Sequence, residues 1–208
     1  GHVDRFELLL DELARFVEQI AADHPGVPIV LVGHSMGGLV VAGTAALRRP
    51  AVDRIVLSGA LLELPTTGSL DRRLRLLAAR ILSRIAPRIG LSTGLDVDGL
   101  SRDPEVVRRY VEDPYVKDRM SARFAAGLFS MVEQVGRAAS RVERPILILH
   151  GEADPICPVS GSRRFHAGLA PEIIKSSRLS VYPGLRHEIF NEPERETIWR
   201  EMLAWIGD

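Results

Sequence analysis

Phe6, Leu9, Leu10, Leu13, Phe16, Val17 and Ile20 recur at steps of three and four residues, with Glu7, Asp11, Glu12 and Glu18 between them. That period gathers the apolar set on one stripe and predicts a helix that buries one face. His24-Pro25-Gly26 ends it, and Pro28 introduces a continuous apolar run at residues 29–32, which reads as a buried parallel strand. After a glycine-rich turn, the Val- and Ala-rich stretch 39–47 predicts a second helix that ends at Arg49-Pro50. Short apolar runs at 55–57 and 146–149 predict two more buried strands, and 179–182 a fourth. Ile198, Met202, Leu203 and Ile206 predict a closing helix over 195–206 with these four residues on its stripe. Strands alternating with helices imply an α/β fold built on a mostly parallel sheet flanked by helices.

Residues 61–144 interrupt that alternation with helical periodicity and no convincing strand. They are read as an inserted helical cap, which divides the chain into 1–60, 61–144 and 145–208. Leu70, Leu74, Leu77, Ile81, Ile85 and Ile89 share one face there, while Arg72, Arg73, Arg75, Arg80, Arg84 and Arg88 crowd the remainder. A basic amphipathic helix of this kind can lie on a lipid surface. The alternative is that the Leu/Ile stripe packs on the sheet domain and the arginines are solvated. Packing is preferred, because charge runs usually mean only solvation.

The chain's 208 residues suffice for one substantial core. With 27 basic and 27 acidic side chains, there is no net field to attract nucleic acid. Cys157 is alone, so no internal disulfide forms, and no Cys/His cluster has zinc spacing. No run approaches the roughly 18 apolar residues of a membrane span. The opening segment lacks the apolar core of a signal peptide. The expected location is therefore cytoplasmic or peripheral to a membrane, and the initial Gly1 suggests that further N-terminal chain precedes it.

Gly33-His34-Ser35-Met36-Gly37 fits G-x-S-x-G between a predicted strand and a predicted helix, the setting of a nucleophile elbow in α/β-hydrolases. Reversal of the strand within one turn should require small residues at Gly33 and Gly37. It should hold the Ser35 hydroxyl above the sheet under strain, with the Met36 N–H poised to donate to an oxyanion. A serine needs a base and an orienting acid, in chain order Ser, acid, His. Asp154 lies just past the strand at 146–149, and His187 follows the next strand after Tyr182-Pro183-Gly184. Glu152 should point elsewhere. Asp154 could instead only cap a turn before Pro155. His150 and His166 read as structural, and His34 as lining the site.

With these residues in place, the chain resembles the monoacylglycerol lipases and lysophospholipase-like members of the α/β-hydrolase fold. The resemblance rests on Gly33-His34-Ser35-Met36-Gly37-Gly38, on His150-Gly151-Glu152-Ala153-Asp154 with Cys157-Pro158-Val159, and on Tyr182-Pro183-Gly184-Leu185-Arg186-His187-Glu188 with Phe190-Asn191-Glu192-Pro193-Glu194-Arg195; Gly1-His2-Val3-Asp4 extends it. It implies cleavage of a small lipid ester, monoacylglycerol, to fatty acid and glycerol through an acyl-enzyme on Ser35, with no cofactor or metal. His187 would be base and then acid, and Asp154 its partner. His34, Ile156, Cys157 and Leu185 would touch substrate. Apolar residues of 61–90 would line an acyl tunnel under the cap, which could also contact a membrane. A lysophospholipase, carboxylesterase or thioesterase is the alternative, and a catalytically silent truncated fragment a further one. The family's first strands, which carry the second oxyanion donor, have no counterpart here, so a missing N-terminal segment or a second copy is expected to complete the fold. Cys157 reads as a small buried apolar side chain rather than a reactive thiol.

Overall fold

The computed structural model describes residues 1–65 and 69–207. In chain order the elements are α1 (Glu7–Asp23), β1 (Val30–His34), α2 (Ser35–Leu47), β2 (Arg54–Ser58), α3 (Ser69–Ile85), β3 (Gly90–Ser92), α4 (Pro104–Glu112), β4 (Arg119–Ser121), α5 (Ala122–Arg137), β5 (Ile146–Gly151), α6 (Val159–Ala167), α7 (Pro171–Ile174), β6 (Arg178–Tyr182) and α8 (Arg195–Gly207). Four strands form one sheet in the order β1-β2-β5-β6, all parallel.

Strand alternation sends side chains to two different cores. Ile55, Leu57, Ile146 and Ile148 face one side and pack with Leu10 of α1, Leu39 of α2, Met131 of α5 and Phe165 of α6. Val56, Leu147 and Leu149 face the other and meet Ile198, Met202 and Trp205 of α8. The result is an α/β/α sandwich in which β2 and β5 are fully enclosed. Every β-to-α connection that carries chemistry emerges at the same, C-terminal edge of the strands.

Several expectations need correction. Residues 29–32 were expected as a buried strand, yet β1 is the sheet edge and Val32 is 52% exposed; among the described residues nothing pairs with its outer side. On α1, Phe6, Leu10 and Val17 are buried but Phe16 is exposed, because at ~100° per residue it sits about 120° round from Leu10. On α8, Leu203 is exposed and Trp205 takes its place in the core, following the i, i+4, i+7 row from Ile198.

The insertion differs most. It contains a two-stranded antiparallel sheet, β3 with β4, whose three-residue strands are too short to leave a pattern. Its last helix, α5, is not cap at all. Phe124 stacks on Phe6 at 5.6 Å between ring centroids, and Leu128, Met131 and Val135 complete the core beside α1 and α2. The expected boundary at residue 144 therefore does not separate packing units. On α3 the apolar stripe faces outward: Leu74, Leu77, Ile81 and Ile85 are all exposed, as is Ile89 beyond the helix. Among the described side chains of that helix, the buried ones are Ala79 and Ser83, one turn apart, small enough to let α3 lie close against α5. The preferred packing of the Leu/Ile stripe on the sheet domain is thus overturned. The side chains of Leu70, Arg72, Arg73 and Arg75, part of the same expectation, lie outside the described residues.

Candidate active site

β1 ends at His34 and α2 begins at Ser35 with no residue between, so the whole reversal falls on Ser35. Its φ is +53°, a left-handed conformation that costs a serine energy and persists only where the surroundings impose it. Steric closeness is the enforcing agent. A Cβ on Gly33 would lie 2.6 Å from the Gly37 carbonyl oxygen, and one on Gly38 would lie 2.6 Å from the Ala60 Cβ. Gly37, by contrast, would meet nothing within 4 Å among the described atoms. The small-residue requirement therefore falls on Gly33 and Gly38, and not on Gly37 as expected. Ser35 accepts the Leu61 N–H at its own carbonyl, 3.0 Å away, which ties the elbow to the chain leaving β2. The Met36 N–H belongs to the first turn of α2, among the amides that have no acceptor within the helix.

The loop after β5 carries Asp154, whose carboxylate is enclosed and heavily bonded. Oδ1 accepts the Ile156 and Cys157 N–H groups at 2.8 and 2.9 Å. Oδ2 accepts His187 Nδ1–H at 2.8 Å, and His150 Nε2 stands 3.2 Å away. Burial alone would raise the carboxyl's pKa. The His150 and His187 rings, then the Cys157 N–H, outweigh it and hold the group well below the usual carboxylate range. Asp154 does cap its own turn, as the alternative supposed, and it binds His187 as well. Glu152 points outward toward Arg163, 3.6 Å away.

His187 sits in the loop after β6, and that loop is held by contacts from far along the chain. Its N–H donates to the Gly99 carbonyl at 3.2 Å, and the Glu188 N–H to the Leu100 carbonyl at 2.7 Å. Beneath them lies Glu192, fully buried, which accepts the Arg186 N–H at 2.8 Å and the Arg102 backbone N–H and Nε–H at 3.2 and 3.0 Å. Arg102 also pairs with Glu194. Glu192 and Arg102 were not singled out as functional by sequence; both lie in segments without periodicity, and only the fold brings them together.

Ser35, Met36, His34, Ile156, Cys157 and His187 line one cavity of about 720 Å³. Leu61, Leu64, Leu128 and Phe129 give this cavity apolar lining, and Asp96, Tyr110, Lys117 and Glu188 give it polar lining. Among the described residues, Leu61, Leu64 and Pro65 are the ones that the segment expected to supply the lining contributes; Leu74, Leu77, Ile81 and Ile85 of α3 are exposed. Leu185 is a correction. It is buried with Val56, Leu147 and Ile189 in the core beneath α8 and does not line this cavity.

Among the other titratable groups, His34 lies 4.7 Å from the His187 ring and meets the Ser58 hydroxyl at 3.2 Å. Lost hydration, and after it the neighbouring His187, lower its pKa to about 4, although solvent still reaches part of the residue. His34 is therefore neutral near pH 7 and a weak base. The Cys157 thiol lies against the Ser35 hydroxyl; burial first, and then the Asp154 charge, push its pKa up and favour the protonated thiol. His150 is fully buried, with Nδ1 against Ser162 Oγ and Nε2 against the Cys157 carbonyl, both at 2.8 Å, and has no nitrogen free for Ser35. Asp154, Cys157 and His187 also offer potential metal ligands within 4.8 Å of one another. The carboxylate is already saturated by N–H donors and the thiol held protonated, so the set suits a hydrogen-bonded relay better than a cation.

The family model described as serine aminopeptidase, S33, matches residues 1–194. A monoacylglycerol lipase of Mycolicibacterium smegmatis is 36% identical over 207 residues, covering 95% of this chain and 71% of that protein. The chain belongs to this family, among its monoacylglycerol lipases. The crystal structure of the Paleococcus ferrophilus monoacylglycerol lipase superposes with a TM-score of 0.82 at 35% identity, over 99% of this chain and 76% of that one. A soluble variant of the Saccharomyces cerevisiae monoglyceride lipase, in complex with a substrate analogue, superposes at 0.83 with 25% identity, over 100% and 71%. The α/β-hydrolase fold of the monoacylglycerol lipases is thus the fold of this chain.

One position tests how tightly the histidine is seated. Gly59, just past β2, has φ +50°, and a Cβ there would lie 2.9 Å from the His187 carbonyl oxygen and 3.2 Å from its Nδ1. Gly59→Ala should lower kcat by roughly 10²-fold through displacement of the ring by a fraction of an ångström, with KM little changed. Steady-state kinetics on a soluble ester checks this, and unchanged kcat would show that the His187 loop gives way freely.

Proposed function

We propose that this chain hydrolyses monoacylglycerol to a fatty acid and glycerol, with Ser35 as nucleophile, His187 as base and acid, and Asp154 as its orienting partner. The observation that supports this most is the Asp154–His187 hydrogen bond of 2.8 Å beside a strained Ser35, both histidine and serine opening onto one largely apolar cavity. His187 takes the Ser35 hydroxyl proton as Oγ attacks the ester carbonyl. The Met36 N–H donates to the oxyanion, and Asp154 stabilises the imidazolium. Collapse of the intermediate breaks the ester C–O bond, and His187 returns its proton to the departing glycerol oxygen. Water then repeats the sequence on the acyl-enzyme and frees the fatty acid. The apolar lining of Leu61, Leu64, Leu128 and Phe129 suits the acyl chain, and polar lining such as Tyr110 and Glu188 suits the alcohol.

An oxyanion hole ordinarily takes two donors, and the free edge of β1 lies beside the elbow. Pairing of further chain or a second copy along that edge would bring the second donor. The test is release of glycerol and fatty acid from monoacylglycerol by the 208-residue chain, with Ser35→Ala as control. Turnover should depend on Ser35, falling at least ~10⁴-fold in the variant. It should also rise roughly 10²–10³-fold when the part of a relative that this chain does not span is supplied and brings a second donor. Equal release by Ser35→Ala would overturn the assignment.

The cap is proposed to rest on a lipid surface. Leu74, Leu77, Ile81, Ile85 and Ile89 form an exposed apolar row beside exposed Arg80, Arg84 and Arg88, the composition of an interfacial helix, and among the described residues no helix is long and apolar enough to cross a membrane. Ile81→Glu with Ile85→Glu should reduce co-flotation with anionic vesicles several-fold and leave hydrolysis of a soluble ester intact. Undiminished flotation would contradict the proposal.

A further inference from the structure

The end of β5 places a second histidine on the acid that orients the first. His150 is wholly buried, in contact with the same Asp154 oxygen, Oδ2, that binds His187. Its Nε2 faces only acceptors, the Cys157 carbonyl at 2.8 Å and the carboxylate at 3.2 Å, so that nitrogen carries the proton. Nδ1 then accepts from the Ser162 hydroxyl of α6, 2.8 Å away. The Cys157 peptide is consequently held at both ends: its N–H by Asp154 Oδ1, its carbonyl by His150. One ring thus fixes the turn that shapes the acid and shares the charge of the oxygen on which His187 depends.

We propose that His150 is a positioning residue for the hydrolytic reaction, setting both the orientation of Asp154 and the proton affinity of His187. This rests on the assignment of Asp154 and His187 as acid and base. The ionisable groups around His187 are Asp154 and Cys157 from the loop after β5, His150 from the end of β5, His34 from the end of β1, Glu188 beside it in its own loop, and Asp96, Tyr110 and Lys117 on the lining of the shared cavity. Of these, Asp154 has the direct hydrogen bond, so a change at its carboxylate is felt most strongly. With the His150 N–H removed, negative charge on Oδ2 is less shared and holds the His187 imidazolium more firmly. The sign follows: the acid limb of the kcat/KM profile moves to higher pH.

The test compares His150→Leu, His150→Gln and Ser162→Ala with the unaltered chain, using pH profiles of kcat and KM on a soluble ester and a thermal melt of each. His150→Leu should move the acid limb upward by about half a pH unit or more and lower kcat roughly 10-fold, with KM unchanged. His150→Gln, which offers an amide N–H near the same place, should restore most of both. Ser162→Ala removes the hydroxyl that keeps the proton on Nε2, so it should give a smaller shift of the same sign, and it carries the test if His150→Leu fails to fold. A folded His150→Leu or Ser162→Ala with reduced stability but an unmoved acid limb would overturn the proposal and leave His150 a packing residue. Asp154→Asn separates this from failure of the underlying assignment: full activity in that variant removes Asp154 from the mechanism altogether, whereas a crippled Asp154→Asn beside an unmoved His150→Leu limb removes only His150.

Discussion

The Asp154 carboxylate is the group on which the site depends. A charge with no accessible side-chain surface would be costly without partners, and three backbone or ring N–H bonds together with the His150 contact supply them. The same contacts that keep it ionised also specify where it can sit: two belong to its own loop, one to His187 after β6, one to His150 at the end of β5. Neutralising the acid would release a histidine loop and a turn at once. Stability and catalysis therefore draw on one set of bonds.

The sheet supplies the common edge at which these loops meet. Ser35 is delivered by the turn from β1 to α2, Asp154 by the loop after β5 and His187 by the loop after β6, so parallel pairing alone brings distant segments together. Close approach does the rest. Gly33, Gly38 and Gly59 lie where a Cβ would collide with the Gly37 carbonyl, with Ala60 and with His187 respectively. The insertion contributes more than a cover, because Gly99 and Leu100 accept the amides of His187 and Glu188, and Arg102 neutralises buried Glu192 beneath them. Movement of that segment would be felt at His187.

The three proposed site residues could be placed from the sequence by backbone requirements: a small-residue turn between strand and helix, and polar residues just past apolar runs. Ser35, Asp154 and His187 occupy those places; Asp154 is bonded to His187, and Ser35 and His187 line one cavity. Residues chosen by adjacency fared less well. Leu185 neighbours the histidine in sequence, yet its side chain enters the opposite core. Periodicity identified helices and did not say what covers them, since the outward stripe of α3 and the inward stripe of α5 look alike until partners are known. Glu192 and Arg102, 90 residues apart, have no local signature, and His150 looked like the end of a strand because its partners are a carbonyl and a hydroxyl displayed only by the folded turn.

The most direct measurement is the rate at which a fluorophosphonate labels the protein, followed by intact mass across pH and compared with Asp154→Asn. One adduct on Ser35 is predicted, with a rate that rises as His187 loses its proton and that falls by roughly 10⁴-fold in the variant. Undiminished labelling of Asp154→Asn, or an adduct away from Ser35, would contradict the account.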